Sequence, residues 1–225
     1  MKFDFLVRSP QDLIDAVDAF GIVPFFKNSI PGFSVAEHCD PRCWFSDTEE
    51  GVWEWKGPVI RASGCAYGRF FEKKTAFVSL DCFLDLANYR RDGYDFDARF
   101  DDGLASWKDK ELYDLVASLS PVVSTRLKAA GDYGRDGRKG FEGSMNRLQE
   151  QGYVLIDDFV YARDRFDRPY GWGLAQYSTP ERRFGDAFCG RVYARNPADS
   201  YERLLERLRA LCPETPEAAL RRFLK

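Results

Sequence analysis

The sequence is poor in the residues on which several common kinds of functional site depend. It holds one histidine, His38, so a Ser-His-Asp or Cys-His arrangement would have to use that residue. It contains no Gly-x-Ser-x-Gly motif, and no glycine-rich loop with a following Lys-Ser or Lys-Thr comes after a strand-like segment. The sequence therefore gives little support to a nucleophilic hydrolase and does not indicate nucleotide hydrolysis.

Cysteine and long apolar runs are also scarce. Six cysteines in 225 residues are too dilute for a disulfide scaffold, which predicts reduced and mostly buried thiols. His38, Cys39 and Cys43 could belong to a zinc site, but no second pair follows at finger-like spacing, so we expect no metal. No apolar run approaches the roughly 18 residues that span a bilayer, and the N-terminus lacks a signal-peptide pattern. We expect a soluble, cytoplasmic protein with no membrane partner.

Positive charge has no overall excess. The formal net charge is -3, which argues against nonspecific binding of nucleic acid by the whole surface, although a local basic patch can still act. Hydrophobic residues make up 44% of the chain and aromatic residues 16%, which is ample for a packed core. No internal repeat or linker is evident, so the composition predicts one compact folded unit.

The stretch 111–180 is predicted to be a winged helix. Apolar residues at helical spacing indicate helices over 108–119, 122–130 and 141–151, with Gly131 and Gly152 at the ends of the second and third. β-Branched and aromatic residues indicate strands over 153–161 and 170–177, joined by a charged tip. Three helices followed by a two-stranded ribbon is the order of a winged helix-turn-helix.

The predicted fold class is therefore α+β, with this winged helix embedded in a single compact unit. We expect an aromatic-rich N-terminal region at 1–105, which could contain a second, degenerate winged helix. The winged-helix domain would span 106–180, and a helical C-terminal segment at 181–225 would pack on the rest.

Positive charge is concentrated on the turn before the third predicted helix and on the start of that helix. Over 122–151, six basic residues stand against four acidic ones, a local net charge of +2. In helix-turn-helix proteins this part enters the major groove of DNA. The candidate DNA-binding residues, three of them on the ribbon tip, are Lys128, Arg135, Arg138, Lys139, Asn146, Arg147, Arg163, Arg165 and Arg168. The alternative is a winged helix that contacts a protein partner or serves as a scaffold.

Two further segments are rich in aromatic residues. Three tryptophans lie within 44–55 beside Asp47, Glu49 and Glu50, a pattern more typical of core packing than of a platform for stacked bases. The segment 88–103 mixes arginine, aspartate and aromatic residues without a helical or strand period. It predicts either a loop pinned by Arg–carboxylate pairs or a functional loop.

Two hypotheses of catalysis follow from polar residues. A small-molecule enzyme centred on the 88–103 loop would have a pocket ringed by Tyr94, Asp97 and Arg99. Gln149-Glu150-Gln151 could hold a water for attack on a sugar carbon, with Glu150 supplying negative charge. The alternative for this tripeptide is ordinary solvated surface.

Several stretches together resemble a group of bacterial proteins described as AlkZ-related. They are Trp-Glu-Trp-Lys at 53–56, Tyr-Gly-Arg-Phe-Phe at 67–71, Phe-Val-Ser at 77–79, Asn-Tyr-Arg-Arg-Asp-Gly-Tyr-Asp-Phe-Asp-Ala-Arg at 88–99 and Arg-Leu-Gln-Glu-Gln at 147–151. The resemblance covers about 25–180 and points, more remotely, to the AlkZ and YcaQ alkylpurine DNA glycosylases.

The resemblance implies tandem winged helices, DNA as the partner and excision of alkylated bases without a metal or organic cofactor. The glycosylase motif is Gln, an apolar residue, then Gln or Asp, and it lies near the N-terminus. Here the middle residue is Glu150 and the motif lies mid-chain. By this resemblance the catalytic residues would be Gln149 and Gln151, with Glu150 or Asp97.

Overall fold

The computed structural model describes residues 2–44 and 51–225. Within these ranges the protein is a mixed α and β structure with two small antiparallel sheets. The elements of the first half are α1 (Pro10–Phe20), β1 (Ile22–Pro24), α2 (Val35–His38), α3 (Pro41–Trp44), α4 (Val52–Ser63), β2 (Ala66–Phe71), β3 (Lys74–Val78), α5 (Leu80–Arg91) and α6 (Phe96–Asp101).

The first sheet has β3 in its middle, paired with β1 on one side and β2 on the other. Val78 lies opposite both Ile22 and Ala66, which fixes the register. β1 ends at Pro24, which has no N–H to donate and is accommodated on this edge strand. A register shift in β2 follows Gly68.

The second sheet repeats this arrangement. Its elements are α7 (Trp107–Leu119), β4 (Val122–Val123), α8 (Ser124–Ala130), α9 (Phe141–Glu150), β5 (Leu155–Arg163) and β6 (Pro169–Ser178). β6 lies in the middle between β4 and β5, as β3 does between β1 and β2. Each half therefore runs helix, short strand, further helices and then a two-stranded hairpin, and the second hairpin strand is central in both sheets.

Four helices complete the chain and pack back onto the first half. They are α10 (Pro180–Phe184), α11 (Asp186–Tyr193), α12 (Pro197–Leu211) and α13 (Glu217–Leu224). α12 lies against α5, where the buried Asp85 accepts hydrogen bonds from Arg195 at 2.5 Å, from Arg203 at 2.7 Å and from Ser200 at 3.0 Å. These bonds fix the C-terminal helices to the N-terminal region.

α4 lies directly against β5, which joins the two halves. A side chain at Gly57 would place its Cβ 2.7 Å from Oδ1 of Asp158, so the close approach depends on glycine. Arg61 forms an ion pair with the same carboxylate at 2.5 Å. Arg183 binds Asp157 and donates to the carbonyl of Ile60 at 3.0 Å, which adds a third segment to the junction.

The structure confirms helices at the predicted places in the second half and corrects two boundaries. Val122 and Val123 form strand β4 instead of the first turn of a helix, because they pair with Tyr177 and Gln176 of β6. The helix that follows begins at Ser124. The first ribbon strand has the predicted length but begins and ends two residues later, and the second extends one residue further at each end.

The prediction of a loop over 88–103 was wrong. Residues up to Arg91 form the last turn of α5, and α6 occupies half of the remainder. The arginines there are held mainly by carbonyl groups: Arg90 donates to Leu224 and Glu150, and Arg91 donates to Gly152. Arg91 is 1% exposed, and its one carboxylate partner in the described part of the chain is Glu181, at 3.2 Å.

The aromatic segment at 44–55 packs largely against the core. Trp44 and Trp53 lie 5.7 Å apart, and both contact Phe25. Trp55 is buried. Asp47, Glu49 and Glu50, which the sequence places beside these rings, lie outside the described residues.

Among the described residues, no helix has the length and the apolar composition needed to cross a membrane.

Candidate nucleic-acid interface

Helix α9 corresponds to the third predicted helix, and much of its surface is already in contact with the protein. Phe141, Met145 and Leu148 are buried, and the helix packs against both α7 and β2. Arg69 of β2 donates to Asn146 at 2.7 Å, so this candidate DNA-binding amide is engaged within the protein. Little of α9 remains free to enter a groove.

Several of the candidate basic residues are neutralised by carboxylates. Lys128 pairs with Glu142 at 3.0 Å, Arg138 pairs with Glu111, and two bonds of 2.7 and 3.0 Å join Arg147 to Asp109. Burial alone would raise the pKa of Asp109, but the bonds from Arg147, Ser144 and Ser106 outweigh it and lower the pKa. Asp109 therefore stays ionised and holds the charge of Arg147 against α7.

Four basic side chains on α8, on the loop before α9 and at the hairpin tip have no carboxylate within ion-pair distance among the described residues. Three of them, Arg126, Arg135 and Lys139, are exposed on α8 and on the loop before α9. Lys139 donates to the carbonyl groups of Gly134 and Arg135. Arg165, at the tip of the hairpin, lies over the ring of Phe166 at 4.6 Å.

The hairpin tip itself combines internal ion pairs with exposed rings. Arg163 pairs with Asp167 and Arg168 with Asp164, each at 3.0 Å, so both of these candidate residues are partly neutralised. Phe166 is largely exposed, and Trp172 on β6 is 75% exposed. The hairpin thus presents aromatic surface and the charge of Arg165 to solvent.

A family model for proteins described as AlkZ related matches residues 7–225, nearly the whole chain. The chain belongs to the AlkZ-related family. No curated protein and no solved structure matches it. Membership of the AlkZ-related family supports a role in DNA repair or DNA binding at a coarse level.

The first of the two glutamines that the AlkZ-related resemblance marks as catalytic is buried inside the protein. Gln149 is 0% exposed; its Oε1 accepts from the Arg69 N–H at 3.1 Å, and its Nε2 donates to the Met145 carbonyl at 3.3 Å. The register shift in β2 explains this contact, because Arg69 lies where the pairing with β3 is interrupted. Gln149 thus satisfies a backbone donor and links α9 to β2.

The other candidate catalytic residues lie apart from that amide. Gln151 and Glu150 are partly exposed, and Glu150 borders a cavity next to Arg90. Asp97 is on α6, where it pairs with Lys110 at 3.2 Å. None of the described cavities is lined by the predicted group of Tyr94, Asp97 and Arg99.

The residues considered for zinc are engaged with the backbone. His38 has Nδ1 at 3.1 Å from the Phe5 carbonyl and Nε2 at 2.8 Å from the Gly32 carbonyl. Among the described residues, no group of three or more potential ligands is arranged to hold a metal ion. The six cysteines are free, and burial raises the pKa of Cys65 to about 11 and that of Cys39 to about 11, so neither is a ready thiolate.

Sequence reasoning missed Arg69, Asp109 and Glu111, which hold the candidate residues in place. Arg69 lies 77 positions before Asn146, and Asp109 lies 38 before Arg147, so neither pairing leaves a local pattern in the sequence. Glu111 lies 27 positions before Arg138, so the same is true of that pair.

Proposed function

We propose that the protein binds DNA through two winged helices. The repeated element order carries this proposal: helix, short strand, helices and hairpin occur in each half, with the second hairpin strand central in each sheet. Helix, strand, helix, helix and hairpin is the order of a winged helix, and membership of the AlkZ-related family supports a DNA-directed role. The proposed units are residues 1–105 and 106–180, with 181–225 as a helical support.

The contact would be made to phosphates by the loop before α9 and by the hairpin tip of the second unit. Arg126, Arg135, Lys139 and Arg165 supply charge there that no described carboxylate neutralises. α9 is covered by β2 and carries Glu142 on its free side, so reading of base edges by this helix is not favoured. Phosphate contacts position a protein on DNA without selecting a sequence.

Base excision stays a prediction from the resemblance. Gln149 is buried and hydrogen-bonded through both ends of its amide, a geometry that supports a structural role better than the positioning of a water. Gln151, Glu150 and Asp97 remain the other residues of that prediction. A base-release assay on alkylated duplex tests it.

A second candidate function is the docking of a protein partner on the hairpin. Val160 and Leu174 are exposed and lie opposite each other on β5 and β6, and four charged residues at the hairpin tip are paired with one another. This role would need no DNA and would depend little on salt.

Binding of the intact protein to a short undamaged duplex at several salt concentrations separates these roles. Each phosphate contact releases about 0.9 counterion, so the logarithm of the association constant should fall linearly with the logarithm of salt, with a slope near -3 to -4 for four contacts. Absent or salt-independent binding at low ionic strength would contradict the proposal and favour the protein-docking role.

A further inference from the structure

A cavity of about 130 Å³ lies between helix α4 and the β5–β6 hairpin. Its walls include the aromatic side chains of Trp53, Phe159, Tyr161 and Trp172. Lys56 and Glu54 of α4 supply its charged groups. The cavity therefore joins the N-terminal half to the hairpin for which we propose contact with DNA.

Lys56 is placed in this cavity in an unusual way. The residue is 9% exposed, and its Nζ lies 4.5 Å from the ring centroids of both Trp53 and Phe159. No hydrogen-bond acceptor within the described residues is in reach of that nitrogen, although an ammonium group carries three donors. Glu54 is not an acceptor for Lys56, because its carboxylate accepts from the Gly51 N–H at 2.9 Å and caps α4.

The Lys56 nitrogen is not among the fully buried polar atoms that lack a partner, so it keeps some contact with solvent and can donate to a group that enters the cavity. The ring faces stabilise its charge in part. A ligand group that brings an acceptor would use the donors that the described residues leave open. Such a group has to be planar and apolar on its faces to fit between aromatic walls, and it has to carry an oxygen or nitrogen acceptor on its edge.

The mouth of the cavity admits a group of this kind. Trp172 is 75% exposed and stands 6.1 Å from Trp53, edge to face. Gly173 has no side chain, and a Cβ there would lie 2.7 Å from the ring of Tyr161, so that ring lies flat against the strand. An apolar cavity of about 150 Å³ holds one benzene ring. The volume here is thus suited to one ring and not to two fused rings.

We propose that this cavity binds a single unpaired pyrimidine base, with its ring against the aromatic walls and a carbonyl oxygen accepting from Lys56. The proposal rests on the proposed binding of DNA, which would bring the hairpin to the strand. Thymine and cytosine both carry a ring carbonyl, whereas adenine has two fused rings and an amino group at the corresponding edge. Stacking on aromatic side chains is the usual way in which proteins hold unpaired bases.

The test compares duplexes that contain one bulged thymine or one bulged adenine with the same duplex fully paired. We expect the thymine bulge to bind about tenfold more tightly than the adenine bulge, as a hydrogen bond from a charged donor would give. Lys56→Met keeps the apolar stem and removes the ammonium, so it should abolish the difference and leave binding of the paired duplex unchanged. Lys108→Met, on an exposed lysine outside the cavity, should keep it.

Trp172→Ala provides a second variant that removes a cavity wall from an exposed position. It should weaken binding of the thymine bulge by about tenfold or more through lost stacking. Equal affinity of the wild type for the two bulges, or a preference that survives in Lys56→Met, would overturn the proposal.

Binding of short single strands tests the pyrimidine site independently of the binding of paired duplex. Pentathymidylate should bind more tightly than pentaadenylate and lose its advantage in Lys56→Met, even if paired duplex is not bound. Duplex binding without any discrimination among bulges or strands would overturn the pyrimidine site and leave DNA binding standing. If no duplex, bulge or strand is bound, both proposals are wrong.

Discussion

Lys56 lies where an ammonium group is destabilised. Burial lowers its pKa to about 8, and the charge of Glu54 opposes that change. Below pH 8 the lysine is protonated in both the folded and the unfolded chain, so the full cost of the buried charge is present. Between pH 8 and the unfolded value of about 10.4 only the unfolded chain keeps the proton, so stability rises with pH.

Lys56→Met is therefore expected to increase the free energy of unfolding at pH 7 by about 1 to 3 kcal/mol. The range allows for the attraction between the ammonium and the ring faces, which offsets part of the burial cost. Urea unfolding at pH 7 and pH 9.5 measures the effect, which should shrink at the higher pH. A loss of stability at pH 7 would show that the charge is stabilised where it lies.

Gln149 is expected to contribute to stability through its bond to the backbone of β2. Gln149→Leu keeps most of the side-chain volume and leaves the N–H of Arg69 without its acceptor, at a cost of about 1 to 3 kcal/mol. Gln151→Leu, on a partly exposed side chain, should cost less than about 0.5 kcal/mol. Unfolding and base release should be measured on the same samples: lost base release with unchanged stability would favour the catalytic prediction.

At the scale of elements, helices α5 and α12 are joined by one buried carboxylate. Burial by itself would raise the pKa of Asp85, but hydrogen bonds from Arg203, Arg195 and Ser200 outweigh it and lower the pKa. The stabilisation from this group is present above the unfolded pKa of about 3.9 and is lost as the pH falls through the lower folded value.

Asp85→Asn should lower the free energy of unfolding at pH 7 by about 2 to 4 kcal/mol, since it leaves two arginines without their carboxylate. Asp81→Asn, at an exposed position on the same helix, is the control and should cost under about 1 kcal/mol. The difference between Asp85→Asn and the wild type should narrow as the pH falls below 4. A constant difference down to pH 2 would contradict this account.

Elements with strong local signals could be predicted from the sequence. Ser9-Pro10 marks the start of α1, Asn196-Pro197 the start of α12, and apolar spacing identifies α7 and α9. α4 was missed because Gly57 and Pro58 lie inside it. Its glycine is explained by contact with β5, which no local pattern in the sequence reports.

The candidate site was less predictable than the fold for a related reason. Charge counting correctly finds basic residues on α8, on the loop before α9 and on the hairpin tip, but it cannot tell which of them have a partner. Arg138 and Arg147 meet Glu111 and Asp109 of α7, and these contacts depend on how the helices cross. Arg135 and Lys139 remain without such partners among the described residues.

At the scale of the whole molecule, an acidic chain can bind DNA only if its unpaired positive charge is localised. The formal net charge of -3 and the many internal ion pairs predict modest affinity that salt weakens quickly. The proposed interface is therefore a small one, limited to the loop before α9 and the tip of the second hairpin. The contribution of this interface to DNA binding can be separated from the effect of net charge by making substitutions with the same change of charge elsewhere on the surface.

The measurement that tests DNA binding most directly is the affinity of two double variants for a short duplex over a range of salt concentrations. The first variant is Arg135→Glu/Lys139→Glu. The second, Arg191→Glu/Lys225→Glu, is a control with the same change of charge. All four residues are exposed, so both variants should fold. We expect the first variant to lose at least about tenfold in affinity at low salt and to reduce the salt slope by about two, and the control to stay near the wild type. Equal effects of the two variants, or no effect of the first, would contradict the proposed interface.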